Sequence, residues 1–153
     1  MHIRLATTAD IDEIAGLYKD TIDRINSRDY SKEQIEAWSS TYNNAPGWIR
    51  RIEEQRFYVA ILDDKIVGFA SIDTSGYLDL LYIHKDYQAI GIASKLLNCV
   101  EKAAKEMGFA EITVQSSITA KPFFLKKGFV ITGEHNKLIN GVPFINSMMK
   151  KRI

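Results

Sequence analysis

Apolar residues in this chain recur with two periods, and the switches between them outline its elements. Residues 2–6 alternate as a short strand. Ile11, Ile14, Ala15, Tyr18, Ile22 and Ile25 then follow three or four apart, which predicts a helix capped by Thr7 or Thr8 and fading at Asn26-Ser27-Arg28-Asp29. Ser31 with Gln34 forms a capping box, opening a second helix with Ile35 and Trp38 on its inner face. Residues 43–47, Asn-Asn-Ala-Pro-Gly, read as a break, with a short helix over 48–53 after it. Residues 56–62 and 66–72 read as strands joined at Asp63-Asp64-Lys65, and residues 73–76 form a turn. Residues 77–83 form a buried strand in which Asp79 is the one charge. A long helix follows over about 91–107, with Ile92, Leu96, Val100, Ala103 and Met107 on one face and Gly108 as its stop.

The remainder predicts a strand at 111–115, a short helix at 121–127 with Pro122 in its first turn, and a closing hairpin. That hairpin pairs 129–138 with 142–150 about Asn140-Gly141, the strongest two-residue turn signal in the chain. Helices interrupt the strands in the middle and hairpins cluster at the ends. The fold class is therefore α/β (α+β), a mixed sheet with helices on both faces.

Composition narrows the function classes. At 153 residues one domain spanning 1–153 is expected, with no repeat, linker or low-complexity stretch. A net charge of +1 argues against an electrostatic nucleic-acid binder, and Lys150-Lys151-Arg152 reads as a solvated end. One cysteine, Cys99, excludes an internal disulfide and reads as a small residue at the core border rather than a nucleophile. No zinc-type spacing and no long apolar run occurs, so no metal, no membrane and a cytoplasmic location are expected.

Candidate chemistry begins where the central strand meets the long helix. Gln88-Ala89-Ile90-Gly91-Ile92-Ala93-Ser94 carries the spacing Q-x-x-G-x-A at a helix start. A helix start leaves its first N–H groups unpartnered and slightly positive, which suits a phosphate. Gly91 and Ala93 allow close backbone approach, Gln88 and Ser94 offer side-chain donors, and a pyrophosphate is the expected occupant. The spacings of P-loop and dinucleotide-binding glycine motifs are absent.

The run L-Y-I-x-x-x-Y-Q-x-x-G-I-A resembles the acetyl-CoA signature of the GNAT superfamily of N-acetyltransferases. Residues 116–129, SSITAKPFFLKKGF, are similar to that family's A-x-x-F-[YF]-x-x-x-G-F element. Tyr30-Ser31, Ala37-Trp38 and the SITAKPFF run resemble its bacterial YafP-like subgroup. The resemblance implies a mostly antiparallel sheet of about seven strands, in which the central strand and its neighbour splay apart around a pantetheine arm. It implies acetyl-CoA as cosubstrate and a small-molecule or peptide amine as acceptor, and it allows a homodimer. The amine would attack the thioester directly. The backbone of Leu81, Tyr82 and Ile83 would hold the pantetheine, residues 88–94 the diphosphate, and Phe124 would pack against the thioester region. An acyl-CoA sensor without turnover is the alternative.

Acetyl transfer needs a neutral amine, a positioned thioester and a proton for the departing thiolate. Asp79 is the candidate base, and alternation places it on the face of Tyr77, Leu81 and Ile83; it equally reads as a turn aspartate near Gly76. The family often has a tyrosine where this chain has Phe124, so the proton falls to water, Ser116, Ser117, Tyr77 or Tyr82. Trp38, Tyr42 and Trp48 read as core anchors or as walls of an acceptor site. His84 and His135 read as surface histidines. Peptide N-terminus, lysine side chain, polyamine, aminoglycoside and aromatic amine all stay open as acceptors.

Overall fold

A computed structural model describes the chain from Met1 to Ile153. Seven strands form one sheet: β1 (His2–Leu5), β2 (Arg56–Leu62), β3 (Lys65–Ile72), β4 (Tyr77–Ile83), β5 (Glu111–Ser116), β6 (Val130–Ile139) and β7 (Val142–Arg152). Their order is β1-β2-β3-β4-β5-β7-β6, and β4–β5 is the one parallel pair. Five α-helices flank it: α1 (Ile11–Arg24), α2 (Lys32–Ser39), α3 (Ala45–Glu54), α4 (Ile92–Glu106) and α5 (Lys121–Lys126). The sheet is thus mixed and mostly antiparallel, as the resemblance implies.

Each face of the sheet buries its own core. On one side α4 sets Leu96, Leu97 and Val100 against Val67, Ala70 and Ile112. On the other, α1 and α3 set Ile14, Ile22 and Trp48 against Phe57, Phe69 and Leu80. Phe57 stacks on Phe69, and Phe69 on Tyr82, so a ring ladder runs across β2, β3 and β4.

Local chemistry explains most boundaries. Ser31 Oγ accepts from Gln34 N–H at 3.1 Å and Gln34 Oε1 accepts from Ser31 N–H at 3.0 Å, the expected capping box. The two hairpin turns hold Asp63 and Asp64, and Asn140 and Gly141, at positive φ, as two-residue turns between twisted strands require.

One expectation needs correction. Residues 43–47 do not break the chain, because α3 starts at Ala45. Asn44 Oδ1 accepts from Gly47 N–H at 3.2 Å and Pro46 sits in the first turn, where its missing N–H costs nothing. The basic triplet 150–152 is solvated as expected, with Lys150 and Arg152 exposed, and it belongs to a strand. It lies in β7 opposite Glu111, Ile112 and Thr113, and Lys151 pairs with Glu101 on α4.

Gly68 fixes how closely α4 approaches the sheet. A Cβ there would lie 3.0 Å from Ile83 Cδ1 and 3.1 Å from Ile92 Cγ2 and Leu96 Cδ1, all on buried or half-buried side chains. Gly68→Val should therefore cost about 1–3 kcal/mol in unfolding free energy. Urea denaturation of both proteins checks this through the midpoint at constant slope.

Candidate active site

The site begins where two strands part. β4 pairs with β5 only at Tyr77↔Thr113 and Leu78↔Val114. Beyond that point β5 continues along β7 as far as Ser116↔Ser147, so the β4 edge from Asp79 onward has no strand beside it. His84 N–H donates to Val67 O at 2.8 Å, which makes that residue pair, and by antiparallel alternation Tyr82↔Phe69, the hydrogen-bonded ones. Leu81 and Ile83 then turn their N–H and C=O groups into the opening. The expectation for residues 81–83 is corrected on this point: the Tyr82 backbone is engaged with β3. Ile83 O is also engaged, accepting from Thr21 Oγ1 at 2.9 Å and Gln88 Nε2 at 2.8 Å.

At one end of the opening lies the loop into α4. No backbone N–H from residue 88 to residue 94 donates to any group in the chain; the first helical bond is Lys95 N–H to Gly91 O at 3.2 Å. Ala89 and Gly91 have φ of 60° and 91°, which turns successive N–H groups toward one side. Gly91 caps α4 with no side chain, and a Cβ built on it would meet nothing within 4 Å. An open run of free donors at the start of a 15-residue helix fits a diphosphate. The Gln88 side chain differs from expectation. Its Nε2 points inward to Ile83 O and His84 O, tying the loop to the end of β4 because those carbonyls have no strand partner. Ile90 projects outward, Ile92 is buried under the loop, and Ala93 and Ser94 are half-buried.

Asp79 lies elsewhere than alternation predicts. The β3–β4 register passes from Ser71↔Leu80 to Ile72↔Leu78 and skips Asp79, a β-bulge. The extra residue reverses the faces. Leu81 and Ile83 pack on the α4 side, whereas Asp79 joins Leu80 on the α3 side. Asp79 Oδ2 accepts from Arg51 Nε and Gln55 Nε2, both at 2.9 Å. Asp79 is therefore ion-paired with α3 and makes no bond near Gly76, and its Oδ1 has no partner in the chain. Gln55 Oε1 is buried without a partner, so Gln55 is oriented by the charged oxygen it donates to. Arg51 also lies over the Trp48 ring, 5.6 Å from its centroid. Burial and the Asp79 charge push the Tyr77 phenol up to about 12.

One cavity of about 850 Å³ joins these parts. It runs from residues 88–94 along the β4–β5 opening to Asp79 and Arg51, and on between α1, α2 and the β6–β7 hairpin. Trp38 lines it; Trp48 is a buried core anchor whose Nε1 donates to Tyr42 O at 2.9 Å, and Tyr42 lies outside the lining. His84, His135 and Cys99 are outside the lining as well. His84 Nδ1 accepts from Asp86 N–H, and burial lowers its pKa.

Phe124 is 2% exposed and packs edge-on against Phe123 and Phe129. It is part of the α4-side core and also lines the cavity. Among the hydroxyls considered for the thiolate proton, Ser116 already donates to Ser117 O. Tyr82 is half-buried in the cavity lining, and desolvation pushes its pKa well up. Ser117 Oγ accepts from Ala120 N–H at 3.1 Å and keeps its own proton. Sequence reasoning missed Tyr30. Its Oη accepts from Ile118 N–H at 2.8 Å, and Asp29 beside it accepts from Thr119 Oγ1 at 2.8 Å. Those bonds join segments 88 and 90 residues apart, so no local spacing announces them. Arg51 and Gln55 were missed too, because Gln55 lies just past the end of α3 in extended backbone and reaches Asp79 only through the fold.

Comparison with known proteins fits this geometry. A profile of the acetyltransferase (GNAT) domain matches residues 26–152. An uncharacterized N-acetyltransferase of Escherichia coli K12, YafP, is 30% identical over 150 residues, which cover 98% of this chain and 95% of that one. A solved GCN5-related N-acetyltransferase from Rhodopseudomonas palustris shares the fold with a TM-score of 0.96 at 32% identity, over 99% of this chain and 95% of that one. The PaiA N-acetyltransferase from Thermoplasma acidophilum, solved in complex with coenzyme A, has a TM-score of 0.80 at 21% identity, over 99% of this chain and 98% of that one. The chain belongs to the GNAT acetyltransferase family. No helix in it is long and apolar enough to cross a membrane.

The neighbourhood of Tyr77 is open to measurement without any ligand. Its labelled ring carbon, assigned through Tyr77→Phe, should titrate near pH 12. Asp79→Asn should lower that midpoint without restoring the ordinary tyrosine value, because burial is the larger cause and remains.

Proposed function

We propose that this protein transfers the acetyl group of acetyl-CoA to a primary amine by direct attack. The observation that carries the reading is the unbroken run of free backbone N–H groups over residues 88–94, opening into the same cavity as the parted β4 edge. In this reading residues 88–94 receive the diphosphate through their main chain, with Ser94 adding its hydroxyl. Leu81 and the Ile83 N–H hold the pantetheine amides as a missing strand would. Acetyl-CoA supplies the acyl group and the thiol leaving group.

Asp79 is the proposed base. Arg51 and Gln55 fix one carboxylate oxygen and leave the other to take the proton of the incoming amine, directly or through water. As nitrogen bonds to the carbonyl carbon, the carbon–sulfur bond breaks and the thiolate takes up a proton. Ser117 and Tyr30 retain protons for that purpose, because each accepts a backbone N–H. The buried, hydroxyl-free Phe124 favours the second reading, a sensor that holds acyl-CoA without turnover. Release of CoA in the presence of amines separates the two.

Two variants test the assignment. Gly91→Glu should abolish acetyl-CoA binding by calorimetry with the fold retained, since the new side chain fills open space inside the run of donors. Asp79→Asn should cut turnover by about 100-fold or more while acetyl-CoA affinity stays within a factor of a few. Equal loss of both would mark Asp79 as structural.

A further inference from the structure

The end of the cavity beyond Asp79 has a chemistry that selects among amines. The charged residues lining the cavity as a whole are Arg51, Lys126, Lys137 and Asp79. Asp79 is the one carboxylate among them, and Arg51 already holds it at 2.9 Å. The cavity also has an aromatic wall. Trp38 meets Tyr30 edge-on at 5.3 Å and Phe144 at 6.0 Å, and Tyr30 lies 5.8 Å from Phe144. Asn26 completes the set. It is 7% exposed, lines the cavity, and its side-chain amide makes no hydrogen bond within the chain.

We infer that the acceptor is an aromatic monoamine carrying a neutral or anionic polar group, and that polycationic amines are excluded. This rests on the acetyltransferase reading above and names the substrate class of the same site. A monoamine reacts as its neutral form, so it brings no charge into the cavity that lacks a partner. A polyamine or aminoglycoside brings further ammonium groups, and the cavity has no free carboxylate for them while Lys137 repels them. An unpaired charge moved out of water is strongly disfavoured. The aromatic body packs on Trp38, Tyr30 and Phe144. The polar group answers Asn26, whose amide would otherwise be desolvated with nothing to bond.

CoA release from acetyl-CoA is measured with tyramine, L-tyrosine, spermidine, kanamycin and a short peptide with a free N-terminus. Tyramine or tyrosine should exceed each of the others in kcat/KM by about tenfold or more. Trp38→Leu should raise KM for the aromatic amine by about threefold to tenfold with little change in kcat. Asn26→Asp, nearly isosteric, places a free carboxylate in the cavity and should raise kcat/KM for spermidine by about tenfold. Spermidine, kanamycin or the peptide matching the aromatic amines on the unaltered protein would overturn this inference and leave the acetyltransferase reading standing. Acetyl-CoA binding with no release by any of these amines would overturn both.

Discussion

Everything in the site depends on β4 and β5 staying together for two residue pairs and then separating. Parallel neighbours in a sheet normally share a full ladder, and leaving backbone groups unpaired inside a protein is costly. The separation persists because each strand has a stronger partner on its other side. β4 is held by β3 along its length, and β5 by β7 through six residue pairs from Glu111↔Arg152 to Ser116↔Ser147. The main-chain groups left over are partly satisfied from outside the sheet, by Thr21 and Gln88 on Ile83 O. What remains open on the β4 edge is a row of donors and acceptors shaped for one more extended chain.

The bulge at Asp79 decides what that row faces. Without it, Asp79 would point with Leu81 toward α4, into an apolar core with no basic residue to meet it. One inserted residue turns Asp79 to the α3 side, where Arg51 and Gln55 stand. Gly68 acts on the other face. By having no side chain it lets Ile92 and Leu96 close on β3, and that contact sets where the first turn of α4 presents its N–H groups. The two irregularities therefore position the two halves of the site independently.

Most of the fold was legible in the pattern of apolar residues, because the central strands and the long helices bury a face and so carry a clear period. The α4 start was legible for a related reason: a glycine cap and a small residue after it have a backbone meaning. Three things were not. The bulge at Asp79 leaves no mark in a run of apolar residues, since a single extra residue looks like ordinary continuation. The start of α3 was masked because Asn, Pro and Gly punctuate turns as well as they open helices, and only the Asn44–Gly47 bond distinguishes the two. The segment of Asn26 and Tyr30 meets the hairpin residue Phe144 across more than a hundred residues, and convergence of that kind is a property of the fold.

A division of labour follows from these facts. One half of the cavity offers main-chain groups: the N–H run of 88–94 and the edge at Leu81 and Ile83. Such groups tolerate side-chain change as long as the backbone path and the small residue at Gly91 are kept, which is why the loop motif is short and weak as a pattern. The other half offers side chains: the paired carboxylate of Asp79, the rings of Tyr30, Trp38 and Phe144, and the amide of Asn26, drawn from β4, α2, β7 and the link between α1 and α2. Tyr30 and Trp38 pack against the core on the face of the sheet opposite α4. A substitution there changes the cavity wall and leaves the main-chain groups of the 88–94 loop in place. In the proposed reading, acceptor choice and cofactor binding are thus separable in this fold, with Asp79, carried by the bulge, as the residue where the two meet.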